Sequence, residues 1–204
     1  MSLKIEAEIK LESEPCILAW DNDLFVGTED GSIKIIIYEN NDMKAKYNVL
    51  EEVKDLWFSS PYLFTVRDLY ITVTEIKPED SKTRFMTRHT IEGRAPLRIT
   101  GNKLIFISRE GYNMCLHDAT IGTVFQKLDE VKVSDMIITT LATNGTDVWT
   151  GGWDGFVRRW NISDDKLKAV GEINLGGCIN SLVAADDRAY AAVAGGKVVL
   201  LSAP

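Results

Sequence analysis

Few side chains in this sequence combine the types and spacing that a catalytic site requires. Asp55 and Asp135 are placed at predicted first strands, and a pair of carboxylates can hydrolyse a glycosidic bond. These two acids are isolated, and no other predicted catalytic residue accompanies them. His89 and His117 are placed within or at the end of outer strands, which does not fit a serine–histidine–aspartate set. We therefore expect no catalytic residues and a protein that is not an enzyme.

The cysteines and glycines give no signal for a metal or a cofactor. Cys16, Cys115 and Cys178 are widely spaced, whereas a structural zinc site needs clustered ligands at short spacings. Gly151 and Gly152 lie in a strand-to-strand turn, not before a helix, so they do not resemble a phosphate-binding loop. We expect no metal and no cofactor. The thiols predict a reduced protein inside the cell, cytoplasmic or nuclear.

Composition narrows the choice of partners. The chain has 204 residues, 45% of them hydrophobic and 26% charged, and a net charge of −7. This is the composition of a soluble globular domain, and its acidity argues against general nucleic-acid binding. The longest apolar runs, such as Ile35–Tyr38 and Val198–Leu201, are far shorter than a membrane span. We expect no membrane insertion, no signal peptide and a chain that is monomeric alone.

Short runs rich in Val, Ile, Thr, Phe and Tyr alternate with polar turns along the whole chain, which predicts an all-β fold. A unit of strand, turn, strand, tight turn and strand occurs five times. The second turns of these units recur at intervals close to 40 residues, at Asp30, Asp68, Glu110, Asp154 and Gly195. Such a period is typical of a β-propeller with five blades.

A fourth strand is predicted after each of the first four units, at Met43–Leu50, Thr83–Ile91, Ile121–Leu128 and Leu167–Leu175. The fifth unit lacks one, and the alternating segment Ile5–Leu11 could supply it. We therefore predict a single domain over residues 1–204, closed into a ring by pairing of the N-terminal strand with the C-terminal blade. Its units are 12–50, 51–91, 92–131, 132–175, and 176–204 together with 1–11.

The segment Trp149–Ile162 resembles the end of a WD repeat, and Asp30-Gly31 has the same turn in the first unit. The other units keep only the spacing and the hydrophobic pattern. The resemblance implies a propeller in which Thr150, Asp154 and Trp160 form a hydrogen-bonded set. It gives Asp30 the same structural role in its turn.

The resemblance also implies an interaction scaffold with a binding face built from the second turns and the loops between blades. Trp153 occupies one such turn, and an exposed Trp is a frequent binding hot spot. The other predicted partner-binding residues on this face are Arg109, Arg67, Glu29, Lys54 and Arg94. Their mixed charges suit a protein or peptide partner with an apolar anchor.

Three alternatives remain at this level. A propeller that binds a sugar or another small ligand would use exposed aromatic rings, although the Trp153 position is not repeated in the other units. A glycoside hydrolase would use Asp55 and Asp135. The chain could also be a segment of a longer propeller or one subunit of a larger ring.

Overall fold

The computed structural model describes residues 4–37, 40–77 and 84–202. In these ranges the regular structure is β-strand apart from a single 3₁₀ turn at Ile121–Thr123. The predicted all-β class is therefore confirmed. No helix within the described ranges has the length and hydropathy needed to cross a membrane.

The strands form five antiparallel sheets, each made of consecutive strands. Sheet 1 contains β1 (Pro15–Asp21), β2 (Asp23–Thr28), β3 (Ser32–Ile37) and β4 (Met43–Asn48). Sheet 2 contains β5 (Asp55–Ser59), β6 (Tyr62–Val66), β7 (Tyr70–Ile76) and β8 (Phe85–Glu92). Sheet 3 contains β9 (Arg94–Thr100), β10 (Lys103–Ile107), β11 (Asn113–Asp118) and β12 (Lys127–Lys132).

Sheet 4 contains β13 (Ile138–Asn144), β14 (Asp147–Gly152), β15 (Phe156–Ser163) and β16 (Lys166–Asn174). Sheet 5 has three strands, β17 (Ile179–Ala185), β18 (Arg188–Val193) and β19 (Lys197–Ser202). The predicted strands at Met43–Leu50 and Leu167–Leu175 agree with β4 and β16 within two residues. Thr83, the predicted start of the second unit's fourth strand, lies outside the described residues.

The core lies between sheets, because alternate side chains of each strand point to opposite faces. Phe25 and Ile35 of sheet 1 pack with Leu56 and Leu63 of sheet 2 in one apolar cluster. Equivalent clusters join sheets 2 and 3, sheets 3 and 4, and sheets 4 and 5. The second, third and fourth sheets are therefore covered on both faces.

The first strands of successive sheets lie side by side, in the order β1, β5, β9, β13 and β17. Among the described residues, β17 and β1 have no contact of comparable extent. The five sheets therefore form an open arc.

The predicted closure by Ile5–Leu11 is wrong in this structure. Residues 4–14 form no strand, which leaves β19 as the edge of a three-stranded sheet. The three residues that follow Ile5–Leu11 are held at the other end of the arc, away from β19. Glu12 forms an ion pair with Lys46 at 3.2 Å, and the Asp30 amide donates to the Ser13 hydroxyl at 3.2 Å. The Glu29 amide donates to the Glu14 carbonyl at 3.0 Å.

The predicted strand Ile121–Leu128 is also corrected. The chain first makes the 3₁₀ turn, and Val124 and Phe125 then take positive φ angles of 53° and 54°. This turn buries the Phe125 ring, which packs edge-on against Phe64. Pairing with β11 begins only at Lys127.

Candidate functional site

The second turns of the five sheets and the linkers between sheets lie at the same end of the strands. Antiparallel order requires this, because the second and fourth strands of a sheet run in the same direction. We call this end the turn face. It consists of residues 29–31, 49–54, 67–69, 93, 108–112, 133–137, 153–155, 175–178 and 194–196. It therefore brings all six predicted partner-binding residues to one side of the molecule, or to the strand ends that border it.

Trp153 projects from the turn between β14 and β15, and its residue exposure is 57%. Its backbone is fixed nonetheless, because its amide donates to the Ile137 carbonyl at 3.0 Å. The Gly155 amide closes the turn onto the Gly152 carbonyl at 3.3 Å, and Gly155 has a φ of 78°. A large apolar side chain is thus presented to solvent from a rigid turn.

Asp154 holds that turn through three donors. The Ser134 hydroxyl donates to its Oδ2 at 2.7 Å, and the Phe156 amide donates to its Oδ1 at 3.0 Å. Arg158 forms an ion pair with Oδ2 at 2.7 Å. Partial burial raises the pKa of this carboxyl, but the three donors together bring it below its ordinary value. Asp154 therefore stays ionised and fastens the linker before sheet 4 to the turn that carries Trp153.

The matching turn of sheet 1 is built in the same way around Asp30. The Thr28 hydroxyl donates to its Oδ1 at 2.6 Å, and the Ser32 amide donates to the same oxygen at 2.9 Å. These hydrogen bonds, that of Thr28 first, lower the pKa of Asp30 to about 2. Gly31 follows with a φ of 80°, and a Cβ there would lie 2.6 Å from the Glu51 amide nitrogen. Both aspartates therefore accept hydrogen bonds from turn backbone.

The hydrogen-bonded set implied by the WD-repeat resemblance is only partly formed. The Trp160 indole donates to the buried Thr150 hydroxyl at 3.0 Å. Asp154 instead bonds to Ser134, Phe156 and Arg158. Trp160 and Thr150 therefore bond to each other in the core, and Asp154 bonds to other residues in the turn.

Arg67, Tyr70 and Arg109 form a second feature of the turn face. The guanidinium carbons of Arg67 and Arg109 lie 6.0 Å and 5.6 Å from the Tyr70 ring centroid. Arg67 also forms an ion pair with Glu51 at 3.2 Å, and Arg109 forms one with Glu92 at 3.3 Å. The two predicted arginines therefore both lie beside one aromatic ring, at the junction of sheets 2 and 3.

The remaining predicted residues are distributed along the same face. Lys54 forms an ion pair with Glu52 at 2.5 Å. The Glu29 backbone is tied to Glu14, and its side chain is exposed. Arg94 is the first residue of β9. Its guanidinium lies beside Gly111, where an added Cβ would be 3.4 Å from Nη1. The structure gives these three residues no contact with Trp153, so the face carries separate features.

The two carboxylates considered for hydrolysis have different environments. Asp55 is buried in β5, where it forms an ion pair with Arg98 at 3.0 Å and accepts the Leu97 amide at 2.8 Å. It therefore connects sheet 2 to sheet 3. Asp135 lies in an exposed linker and pairs with Lys132. Beside Asp55, Trp57 and Arg98 line an open cavity of 570 Å³ between the first strands.

The titratable groups that could bind a metal are scattered. Within the described ranges, no three histidine, cysteine or acidic side chains are grouped as a metal site would require. Cys16, Cys115 and Cys178 are free thiols. Burial raises the pKa of Cys115 to about 12, so this thiol is unreactive at neutral pH.

Sequence reasoning missed Tyr70, Ser134 and Arg158. Tyr70 follows Arg67 across the second turn of sheet 2, so alignment of the turns could have placed the two together. Ser134 lies in the linker before sheet 4, and its bond to Asp154 spans 20 residues. No local pattern signals that contact.

Comparison with known proteins supports the fold. No family model matches the chain, and no curated protein matches it. Solved structures do match: a computationally designed protein, Ika8, has a TM-score of 0.74 and 18% identity over 91% of this chain and 57% of its own. BamB from Moraxella catarrhalis has a TM-score of 0.69 and 20% identity over 90% of this chain and 55% of its own. Hsv2 from Kluyveromyces lactis has a TM-score of 0.73 and 13% identity over 89% and 57%.

This chain therefore spans little more than half the length of each of these structures. BamB and Hsv2 are β-propeller proteins. At these identities the likeness concerns the fold alone, and the WD-repeat resemblance is not extended to a family assignment. The chain is an all-β protein with a propeller-type arrangement of sheets.

Proposed function

We propose that this protein is a non-catalytic interaction scaffold whose turn face binds a protein or peptide partner. The observation that carries the proposal is Trp153, whose exposed indole is presented by a turn fixed through Asp154. A large exposed apolar ring on a fixed backbone is the type of residue that dominates binding energy in interfaces. Because the turn is already ordered, binding would require little loss of backbone freedom.

The charges on the same face define the chemistry of the partner. Arg67 and Arg109 are paired with Glu51 and Glu92, whose side chains are 50% and 64% exposed. Exposed pairs of this kind are weak and can be exchanged for pairs with a partner. A partner carboxylate could therefore replace Glu51 or Glu92 beside the Tyr70 ring. We propose a partner segment with one apolar anchor for Trp153 and acidic groups for the two arginines.

We also propose the cellular compartment in which the protein acts. The exposed Cys16 and the half-buried Cys178 are free thiols. Such thiols are suited to a reducing compartment, so we propose that the scaffold acts inside the cell.

The test is affinity capture from an extract of the source cells, followed by measurement of affinity for each captured protein. The variant Arg109→Glu/Trp153→Ala removes both features of the turn face. We expect binding at least about tenfold weaker, because each change removes a central contact. Circular dichroism and thermal unfolding would show that the variant keeps its fold.

The matched control is Lys168→Glu/Ile121→Ala. It makes the same charge reversal and also removes one exposed apolar side chain, but at the opposite end of the strands. We expect it to bind as the wild type does. Equal affinity of all three proteins for every captured partner would contradict the proposed site.

A further inference from the structure

A leucine occupies the same position in the first strand of all five sheets, namely Leu18, Leu56, Leu97, Leu141 and Leu182. At two junctions the residue before this leucine connects the first strands of neighbouring sheets through its side chain. The Thr140 hydroxyl accepts the Leu182 amide of the following sheet at 2.9 Å. The Asp55 carboxylate accepts the Leu97 amide of the following sheet at 2.8 Å. Sheets 4 and 5 and sheets 2 and 3 are thus joined at their inner strands.

At the junction of sheets 1 and 2 the matching residue is Ile17, whose side chain cannot accept a hydrogen bond. The Leu56 amide, which would be the donor, instead donates to Oδ1 of its neighbour Asp55 at 2.9 Å. The open cavity of 570 Å³ lies along the first strands at this junction. We call it the inner cavity. Its volume is in the range of sites for small organic ligands.

Arg98 is held firmly on the wall of the inner cavity. Its Nη1 donates to Asp55 Oδ2 at 3.0 Å and to the Leu97 carbonyl at 2.5 Å. Its guanidinium carbon lies 5.7 Å from the Trp57 ring centroid, and its side chain is 29% exposed. Both hydrogen bonds use Nη1, and within the described residues neither Nε nor Nη2 has an acceptor. Arg98 therefore retains the edge that can donate two parallel N–H groups to a ligand.

Two indole rings line the same cavity, those of Trp20 and Trp57. Ile17 and Ala19 pack toward sheet 2, so strand alternation places Trp20 on the opposite face of sheet 1. Trp57 packs against the cluster between sheets 2 and 3. Trp20 is 56% exposed. The inner cavity therefore has aromatic walls from two different sheets.

The polar part of the wall combines donors and acceptors with little net charge. Asp55 offsets the charge of Arg98, Asp21 adds one carboxylate, and Ser59 and Ser60 add hydroxyls. β1 and β5 are the end strands of their sheets, so their inner edges present backbone N–H and C=O groups. Asp21 disfavours an anion, and Arg98 disfavours a cation. A neutral ligand with many hydroxyl groups can both donate to and accept from such a wall.

We propose that the inner cavity binds a neutral sugar in its pyranose form. The C–H face of a pyranose ring packs on an indole, and adjacent ring hydroxyls accept from Nε and Nη2 of Arg98. The Asp21 carboxylate accepts from a further hydroxyl. Asp55, which is buried and already accepts three hydrogen bonds, positions Arg98. This inference goes beyond the proposed scaffold function and uses none of the six predicted partner-binding residues.

The test is saturation-transfer NMR with three probes, the methyl glycosides of glucose, galactose and mannose. Titration would then give the affinity of each probe that binds. We expect at least one probe to receive saturation through its ring C–H protons. The methyl glycoside of glucuronate has the glucose ring with an added carboxylate. It should bind more weakly than the glucoside, because Asp21 lines the same cavity.

Two substitutions test the proposed contacts. Trp20→Ala removes an exposed ring, and Arg98→Lys keeps a positive charge beside Asp55 but removes the edge with two donors. We expect each to weaken sugar binding at least about tenfold. The matched controls are Tyr190→Ala and Arg188→Lys, which change an exposed ring and an exposed arginine of sheet 5. Both controls should bind the sugar as the wild type does.

Circular dichroism would show whether each variant keeps its fold. If Arg98→Lys does not fold, Trp20→Ala still decides the outcome, because this side chain is exposed. A wild type that transfers saturation to none of the three probes would overturn the proposal. Binding that neither Trp20→Ala nor Arg98→Lys weakens would also overturn it, as would tighter binding of the glucuronate glycoside than of the glucoside.

Discussion

Sheets 4 and 5 are neighbours with the same order of strands, yet their environments differ. Sheet 4 packs against sheet 3 through Trp160 and against sheet 5 through Trp149, and both rings are at least 93% buried. Within the part of the chain that the structure describes, sheet 5 packs against sheet 4 alone, and Tyr190 remains half exposed. For this position of the second strand, the third residue of β14 and of β18, the adjoining sheet therefore decides whether the aromatic ring is buried.

The same contrast separates Leu18 of sheet 1, which is 60% exposed, from its buried counterpart Leu141 of sheet 4. An apolar side chain contributes to stability only when other apolar groups cover it. Equivalent residues should therefore differ greatly in their effect on stability. Substitutions at matched positions test this difference.

The largest contrast is expected between Trp149→Ala and Tyr190→Ala. Removal of the buried Trp149 ring should lower the free energy of unfolding by about 3–5 kcal/mol, because a large cavity remains. Removal of the exposed Tyr190 ring should cost less than about 1 kcal/mol. Denaturant unfolding at low protein concentration would measure both. Equal losses would show that Tyr190 is covered within a single copy.

A second contrast uses the repeated leucine. Leu141→Ala should cost about 2–5 kcal/mol, whereas Leu18→Ala should cost less than about 1 kcal/mol. The two substitutions are chemically identical, so intrinsic strand propensity is matched. If Leu18→Ala destabilises the protein as much as Leu141→Ala does, the first sheet is not an open end.

The Asp154 turn should give an intermediate effect that depends on pH. Asp154→Asn should lower the stability by about 1–3 kcal/mol at neutral pH, because it weakens hydrogen bonds to a carboxylate. The pKa of Asp154 is lower in the folded protein than its ordinary value of 3.8. Its contribution is therefore present above that value and is lost as the pH falls through the folded pKa.

The wild type should consequently lose more stability on acidification below pH 3.8 than Asp154→Asn does. Unfolding curves recorded for both proteins from neutral pH downward would show this. Parallel curves would mean that Asp154 titrates alike in the folded and unfolded states. Asp30, whose pKa is about 2, should behave in the same way at lower pH.

The smallest effect on stability is expected at Trp153. Its side chain is exposed, so Trp153→Ala should change the free energy of unfolding by no more than about 0.5 kcal/mol. Its effect on partner binding should be larger, about 2 kcal/mol or more, if the ring is a hot spot. Thermal unfolding and calorimetric binding to a captured partner would separate the two. A strongly destabilised variant would show that the ring packs within the fold.

Much of this architecture could be predicted from the sequence because its signals are local. The alternation of apolar and polar residues predicts the strands. The dipeptides Asp30-Gly31 and Asp154-Gly155 predict two of the turns. The path of residues 4–14 could not be predicted, because Ile5–Leu11 alternates apolar and polar residues as a strand would. The contacts of Glu12 with Lys46 and of Ser13 with Asp30 join residues that are far apart in the sequence. The turn at Val124 and Phe125 was missed for a similar reason. Burial of Phe125 against Phe64 is a tertiary contact that local pattern does not contain.

The order of the strands alone places the predicted interaction residues at one end of the sheets. Their contacts were not predictable, since the Arg67–Tyr70–Arg109 group joins two sheets. The anchoring of the Trp153 turn by Ser134 likewise depends on a linker. Side-chain partners that cross between sheets require the packed structure.

The open ends of the arc can be tested directly by hydroxyl-radical footprinting, read by mass spectrometry at a concentration where the protein is a single copy. Leu18 and Leu141 are chemically identical reporters, as are Tyr190 and the half-buried Tyr62. The account predicts much faster oxidation of Leu18 than of Leu141, and faster oxidation of Tyr190 than of Tyr62. Equal protection of Leu18 and Leu141 would contradict it, because both ends would then be covered within one chain.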